Sequence, residues 1–128
     1  MRFMVIVKAS KESEAGVLPS QQILAEMGKF NEQLVKAGVM LAAEGLQASS
    51  KGARVKFNGS QRTVTDGPFA ETKEAIGGFW LINVNSKAEA IEWAKRAPHS
   101  CATGEEWSIE LRQLRELEEF EPAVTKVA

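Results

Sequence analysis

The chain has 128 residues, the size of one domain, and its 44% hydrophobic and 26% charged residues are ordinary for a globular protein with its own core. Sixteen Lys+Arg against seventeen Asp+Glu leave no basic excess, and no aromatic residues are interleaved with basic clusters, which argues against nucleic-acid binding. The single cysteine, Cys101, excludes an intramolecular disulfide, and no apolar run has the length of a membrane span or a signal-peptide core, so a cytoplasmic location is expected.

Arg2 to Ala9 is rich in Val, Ile and Phe and predicts a strand. Glu12 to Pro19 reads as a polar loop. Ser20 is positioned to cap a helix whose apolar residues, Ile23, Leu24, Met27, Phe30, Leu34 and Val35, recur at helical spacing. Gly38 stops it. Val39 to Leu46 predicts a second strand. Ala53 to Phe57 and Gln61 to Thr65 flank Asn58-Gly59, the signature of a two-residue hairpin turn. Phe79 to Val84 predicts the most apolar strand. Ser86, with Glu89 three residues on, opens a second helix that buries Ala90, Ile91, Trp93, Ala94 and Ala97 and stops at Pro98. Trp107 to Leu114 predicts the last strand.

The order β-α-β-(β-β)-β-α-β makes this an α+β domain, ferredoxin-like with an inserted hairpin, over residues 1–114. Residues 115–128 form a C-terminal tail, expected to be mobile. The first strand alternates Phe3, Val5 and Val7 with Met4, Ile6 and Lys8, and the fifth alternates Phe79 and Leu81 with Trp80, Ile82 and Val84. Two helices cover one face of such a sheet. The second face is also largely apolar, which predicts a homodimer packed sheet to sheet rather than a monomer covered by loops.

Asp66-Gly67-Pro68-Phe69-Ala70-Glu71-Thr72-Lys73-Glu74 concentrates a sharp turn, three carboxylates and a lysine in nine residues. Asp66, Gly67 and Pro68 each favour a turn for a different reason, and Phe69 reads as its apolar anchor. Ala70 to Ala75 reads as one helical turn that clusters Glu71, Lys73 and Glu74. One reading presents Asp66 and Glu71 to a pocket as acid/base groups, with Lys73 holding an anion. The other makes Asp66 the cap of the turn and the remaining charges solvated pairs.

Glu44, among small apolar residues, is either a desolvated functional carboxylate or the partner of Lys8 or Arg112 in a salt bridge. Together these residues nominate Asp66, Glu71 and Glu44 as proton carriers, and Lys8, Lys73, Arg112 and Phe69 as ligand-binding groups. His99 and Cys101 lie in a loop without the further ligands zinc requires, and no phosphate-binding glycine loop or nucleophile elbow exists. Neither a metal nor a cofactor is expected.

TDGPFAETKEAIGGFWLI resembles the signature of the DGPF branch of the YCII-related family, and the resemblance extends to MRFMVIVKAS, AGVMLAAEGLQ, AIEWAKRAP and IELRQL. It implies a ferredoxin-like fold paired as a dimeric α+β barrel, while the charged residues named above point to a small polar or anionic metabolite bound in a pocket between sheet and loop. Related dimeric-barrel enzymes are associated with a His–Asp pair whose histidine lies on the first helix. Gln21 to Lys36 contains no histidine, so that mechanism does not carry over. The resemblance also implies, as an alternative, a non-catalytic module acting with an extracytoplasmic-function sigma factor.

Overall fold

A computed structural model describes residues 1–69, 74–98 and 107–120. The expected helical turn at Ala70 to Ala75 and the loop carrying His99 and Cys101 lie wholly or mostly outside those residues. The elements are β1 (Arg2–Lys8), α1 (Lys11–Glu14), α2 (Gln21–Lys36), β2 (Met40–Gly45), a 3₁₀ turn (Ser49–Lys51), β3 (Ala53–Asn58), β4 (Gln61–Asp66), β5 (Ile76–Asn83), α3 (Lys87–Lys95), β6 (Ile109–Gln113) and a second 3₁₀ turn (Leu117–Phe120).

Four strands form an antiparallel sheet in the order β2-β5-β1-β6, the ferredoxin-like arrangement, with β5 inserted between the strands that flank α2. The hairpin β3-β4 stands apart as its own two-stranded sheet. Its two-residue turn is Gly59-Ser60, one residue later than the expected Asn58-Gly59, because Asn58 pairs with Gln61 as the last residue of β3; Gly59 takes a φ of 61°, which glycine adopts without steric cost.

One face of the main sheet carries the core. Phe3 pairs with Ile82 and Val5 with Trp80, so all four point the same way. They meet Phe30 and Leu34 of α2 and Ala90 of α3, all buried. Phe30 packs edge-on against Trp80, with ring centroids 5.2 Å apart, and also touches Trp93 of α3. Arg96 of the α3 C-cap stacks on Trp93 at 4.2 Å and donates to Gln33 of α2, closing the two helices together. The opposite sheet face presents Met4, Ile6, Phe79 and Leu81, with Glu44, Glu110 and Arg112 interspersed by register.

The helix starts follow their capping signals. The Ser20 hydroxyl accepts from the Ile23 N–H, and the Ser86 hydroxyl from the Glu89 N–H. Glu89 completes the box one residue early, taking the Asn85 N–H rather than that of Ser86.

Three expectations need correction. The polar segment after β1 is not all loop, because Ser10 and Ser13 cap each other reciprocally and nucleate α1. The buried stripe of α2 is narrower than its apolar pattern: Leu24 is 48% exposed and Val35 61%. Finally, the start of the tail is held, since Arg2 forks onto both carboxylate oxygens of Glu116 at 3.0–3.3 Å.

β2 is an edge strand with a register break: Met40 pairs with Ile82 and Ala42 with Leu81, leaving Leu41 without a partner. At its end, Gly45 pairs with Gly78 of β5. A Cβ on Gly78 would lie 2.8 Å from the Glu44 carbonyl oxygen, so the strands approach as closely as they do only because this position is glycine.

Candidate functional site

The motif turn begins where β4 ends. Asp66 pairs with Ala53 across the hairpin base and is exposed. Its carboxylate takes no hydrogen bond among the described residues, so the turn is not held by an Asp66 cap. The turn is held from below instead. Gly67 and Pro68 are joined by a cis peptide, and the Gly67 N–H donates to the Gly52 carbonyl at 3.0 Å. A Cβ on Gly67 would fall 1.8 Å from the Ser49 carbonyl oxygen, which excludes any side chain there without displacement.

The Phe69 N–H donates to the Ser49 hydroxyl at 3.2 Å. That hydroxyl donates to one oxygen of Glu14, while the Ser49 N–H donates to the other at 3.1 Å. The Phe69 ring is covered by the Arg54 guanidinium, 4.0 Å from its centroid. Phe69 is therefore the expected anchor, and Glu14 and Ser49 are parts of the scaffold that sequence reasoning did not nominate. Glu71 and Lys73 lie outside the described residues.

Lys8 and Arg112 meet at a different carboxylate from the one expected. Both reach Glu110 of β6, at 3.6 and 3.3 Å. The Arg112 hydrogen bond, followed by the nearby Lys8 charge, holds the Glu110 carboxyl below the ordinary glutamate value. Glu44, on β2 with two strands between it and β6, takes part in no ion pair among the described residues, so neither proposed salt bridge exists.

Glu44 instead borders a cavity of about 180 Å³ between α2 and the end of the sheet. Gly45, Gly77 and Gly78 leave this end of the sheet without side chains, and Val7, Met27, Ala43 and Trp80 supply apolar walls. Alternation along β2 sends Ala43 and Gly45 toward the helices and the Glu44 side chain to the other face. Asn31 is the polar side chain that α2 contributes. Its Oδ1 accepts the Trp80 indole N–H at 2.7 Å, which leaves the amide N–H groups of Asn31 available to an occupant. An open groove of about 430 Å³ adjoins, sharing Asn31 and Ala43 and lined also by Gly28, Glu32, Val35, Lys36 and Met40.

Asn31 was legible in one respect. Met27, Phe30, Asn31 and Leu34 share a single helical face, and a carboxamide inside an otherwise apolar stripe asks for a partner. Lys8, Arg112 and Asp66 are not among the residues lining either space. Among the described residues, no group of three or more His, Cys, Asp and Glu gathers to hold a metal ion, and no helix is long and apolar enough to cross a membrane.

An uncharacterised protein of Rhizobium meliloti strain 1021 is 31% identical over 75 residues, which are 59% of this chain and 60% of the relative. The match thus spans less than two thirds of that relative's length. Among solved structures, 5-chloro-2-hydroxyhydroquinone dehydrochlorinase of Burkholderia phenoliruptrix AC1100, in complex with 2,5-dihydroxybenzoquinone, superposes with a TM-score of 0.51 at 13% identity, covering 93% of this chain and 98% of the other. That likeness is one of fold. The YCII-related domain model matches residues 1–116, and with this sheet order and helix placement behind it, the chain belongs to the YCII-related domain family.

Proposed function

We propose that the protein binds a small, largely apolar molecule carrying at least one hydrogen-bond acceptor, in the cavity between α2 and the Gly45–Gly78 end of the sheet. The observation that carries this reading is the Asn31 carboxamide, fixed by Trp80 through its oxygen and presenting N–H donors to a space otherwise walled by apolar side chains and bare glycine backbone. Apolar walls with a few placed polar groups are the usual character of small-molecule sites. The structural relative that holds 2,5-dihydroxybenzoquinone supports a hydroxylated ring as the first ligand class to try.

Of the carboxylates nominated from sequence, Glu44 borders the cavity through its strand, with its side chain on the other sheet face beside Phe79, so on this reading it would move protons at that outer face and not in the cavity. Asp66, with Glu71 and Lys73 following it in the sequence motif, would act as a charged group of the DGPF segment, and Lys8 and Arg112 would bind charge on the opposite sheet face. We assign the chain to the DGPF branch of the family, to the cytoplasm, and to a homodimer joined through Met4, Ile6, Phe79 and Leu81.

The test uses Gly45→Leu. No atom lies within 4 Å of a Cβ at Gly45, and alternation aims that position at the cavity, so a side chain introduced there starts into open space. Titration with 2,5-dihydroxybenzoquinone and simple hydroquinones, followed by calorimetry, is expected to give binding by the wild type and a loss of at least tenfold in the variant at unchanged melting temperature. Equal affinity in the two proteins would remove the cavity from consideration.

A further inference from the structure

Among the described residues the hairpin β3-β4 is the most exposed regular structure. All twelve of its strand residues are exposed, among them Val55 at 51%, Val64 at 64% and Phe57 at 67%. Val55 and Val64 pair directly, and Phe57 pairs with Arg62, whose guanidinium lies 4.6 Å from the Phe57 ring. By alternation these side chains form one continuous apolar face, and Arg54, Lys56, Thr63 and Thr65 occupy the other. A two-stranded ribbon is marginal in water by itself and ordinarily needs a third strand or a packing surface.

Charge indicates what that surface is. The hairpin, residues 53–66, contains Arg54, Lys56 and Arg62 against a single carboxylate, Asp66 at its base, so it carries a net charge of +2. The whole chain carries a net charge of −1, which leaves the remaining residues with a net charge of −3. The hairpin is therefore complementary to the body of its own chain, while nothing among the described residues packs on its apolar face.

We propose that this hairpin is an arm that docks its Val55–Phe57–Val64 face on the body of a second copy of the chain. The inference rests on the homodimer proposed above and adds to it a second, reciprocal contact. Each protomer gives one basic arm and receives one, as a two-fold axis requires. The apolar face supplies burial, and the basic residues supply long-range attraction that weakens with salt.

The experiment is sedimentation equilibrium of the full chain, wild type against the double variant Phe57→Ser with Val64→Thr. Both replacements are exposed and strand-compatible, and circular dichroism checks that the fold persists. The expected result is a wild-type dimer whose dissociation constant rises at least tenfold in the variant. Hydrogen exchange supplies the second readout: hairpin amides of the wild type are expected to slow as protein concentration rises through the dimer range.

A wild type that stays monomeric would sink both the homodimer and the arm. A dimer indifferent to the double variant, with hairpin exchange independent of concentration, would overturn the arm alone and leave the sheet-to-sheet pairing standing. Binding of a single-stranded oligonucleotide, lost in the variant while the dimer is unchanged, would assign the hairpin to nucleic acid and equally overturn the proposal.

Discussion

Glu14 grips Ser49 with both carboxylate oxygens, one taking the backbone N–H and the other the side-chain hydroxyl. With its proton committed to Glu14, the Ser49 oxygen turns a lone pair to the Phe69 N–H. The motif turn is thus fastened to the end of α1 through one serine. Ser49→Ala removes two hydrogen bonds at once, one of them to a carboxylate, and is expected to lower stability by about 1–3 kcal/mol in urea denaturation. Ser49→Thr keeps the hydroxyl and should recover most of that loss.

Gly67 tests the same junction sterically. Its Cβ position lies on top of the Ser49 carbonyl, so Gly67→Ala must push the turn away from the 3₁₀ segment. The expected cost is about 1–3 kcal/mol, with faster hydrogen exchange at the Gly67 and Phe69 amides. An unchanged melting temperature would mean that the turn is not seated on Ser49.

Gly78→Ala places a methyl group 2.8 Å from the Glu44 carbonyl oxygen, and the yielding element is the edge strand β2. Gly45→Ala, across the ladder, meets nothing. The pair should separate cleanly in thermal melts: a loss of about 1–3 kcal/mol for the first and within about 0.5 kcal/mol of wild type for the second.

Arg2 and Glu116 give a pH signature. The hydrogen bonds from Arg2 hold Glu116 below the ordinary glutamate value, against which desolvation works in the opposite sense. A depressed carboxylate contributes stability that is complete above the unfolded value, near 4.5, and is lost as pH falls through the folded one. Glu116→Gln should therefore reduce the fall in melting temperature below about pH 4.5 while costing stability at pH 7. A carbon-detected NMR titration that places Glu116 at or above the ordinary value would contradict this.

Much of this architecture is written in local chemistry. Ser20 and Ser86 cap the expected helices, Gly38 at φ 71° ends α2, and the hairpin turns one residue beyond the expected pair, at Gly59-Ser60. Period-two alternation in β1 and β5 identifies the pairs Val5–Trp80 and Phe3–Ile82 in kind, though not in register. The site was less legible because its parts are tertiary. Nothing near Ser49 in sequence announces Glu14, 35 residues away, or Phe69, 20 residues away. Glu44 stood out for its apolar neighbours, but which strand face it takes depends on the register with Phe79. Leu24 and Val35 fit a helical apolar pattern equally well whether or not a sheet reaches far enough to cover them.

The unpaired Leu41 also bears on how the chain behaves in a crowd. Among the described residues β2 ends the sheet with no strand beyond it, leaving a row of backbone donors and acceptors of the kind by which folded domains template one another into open-ended aggregates. At Leu41 that row loses its regular spacing, so an incoming strand finds matching partners on either side of the break but not across it. An irregular rim of this kind discourages endless growth along β2 and leaves association to surfaces that close upon themselves.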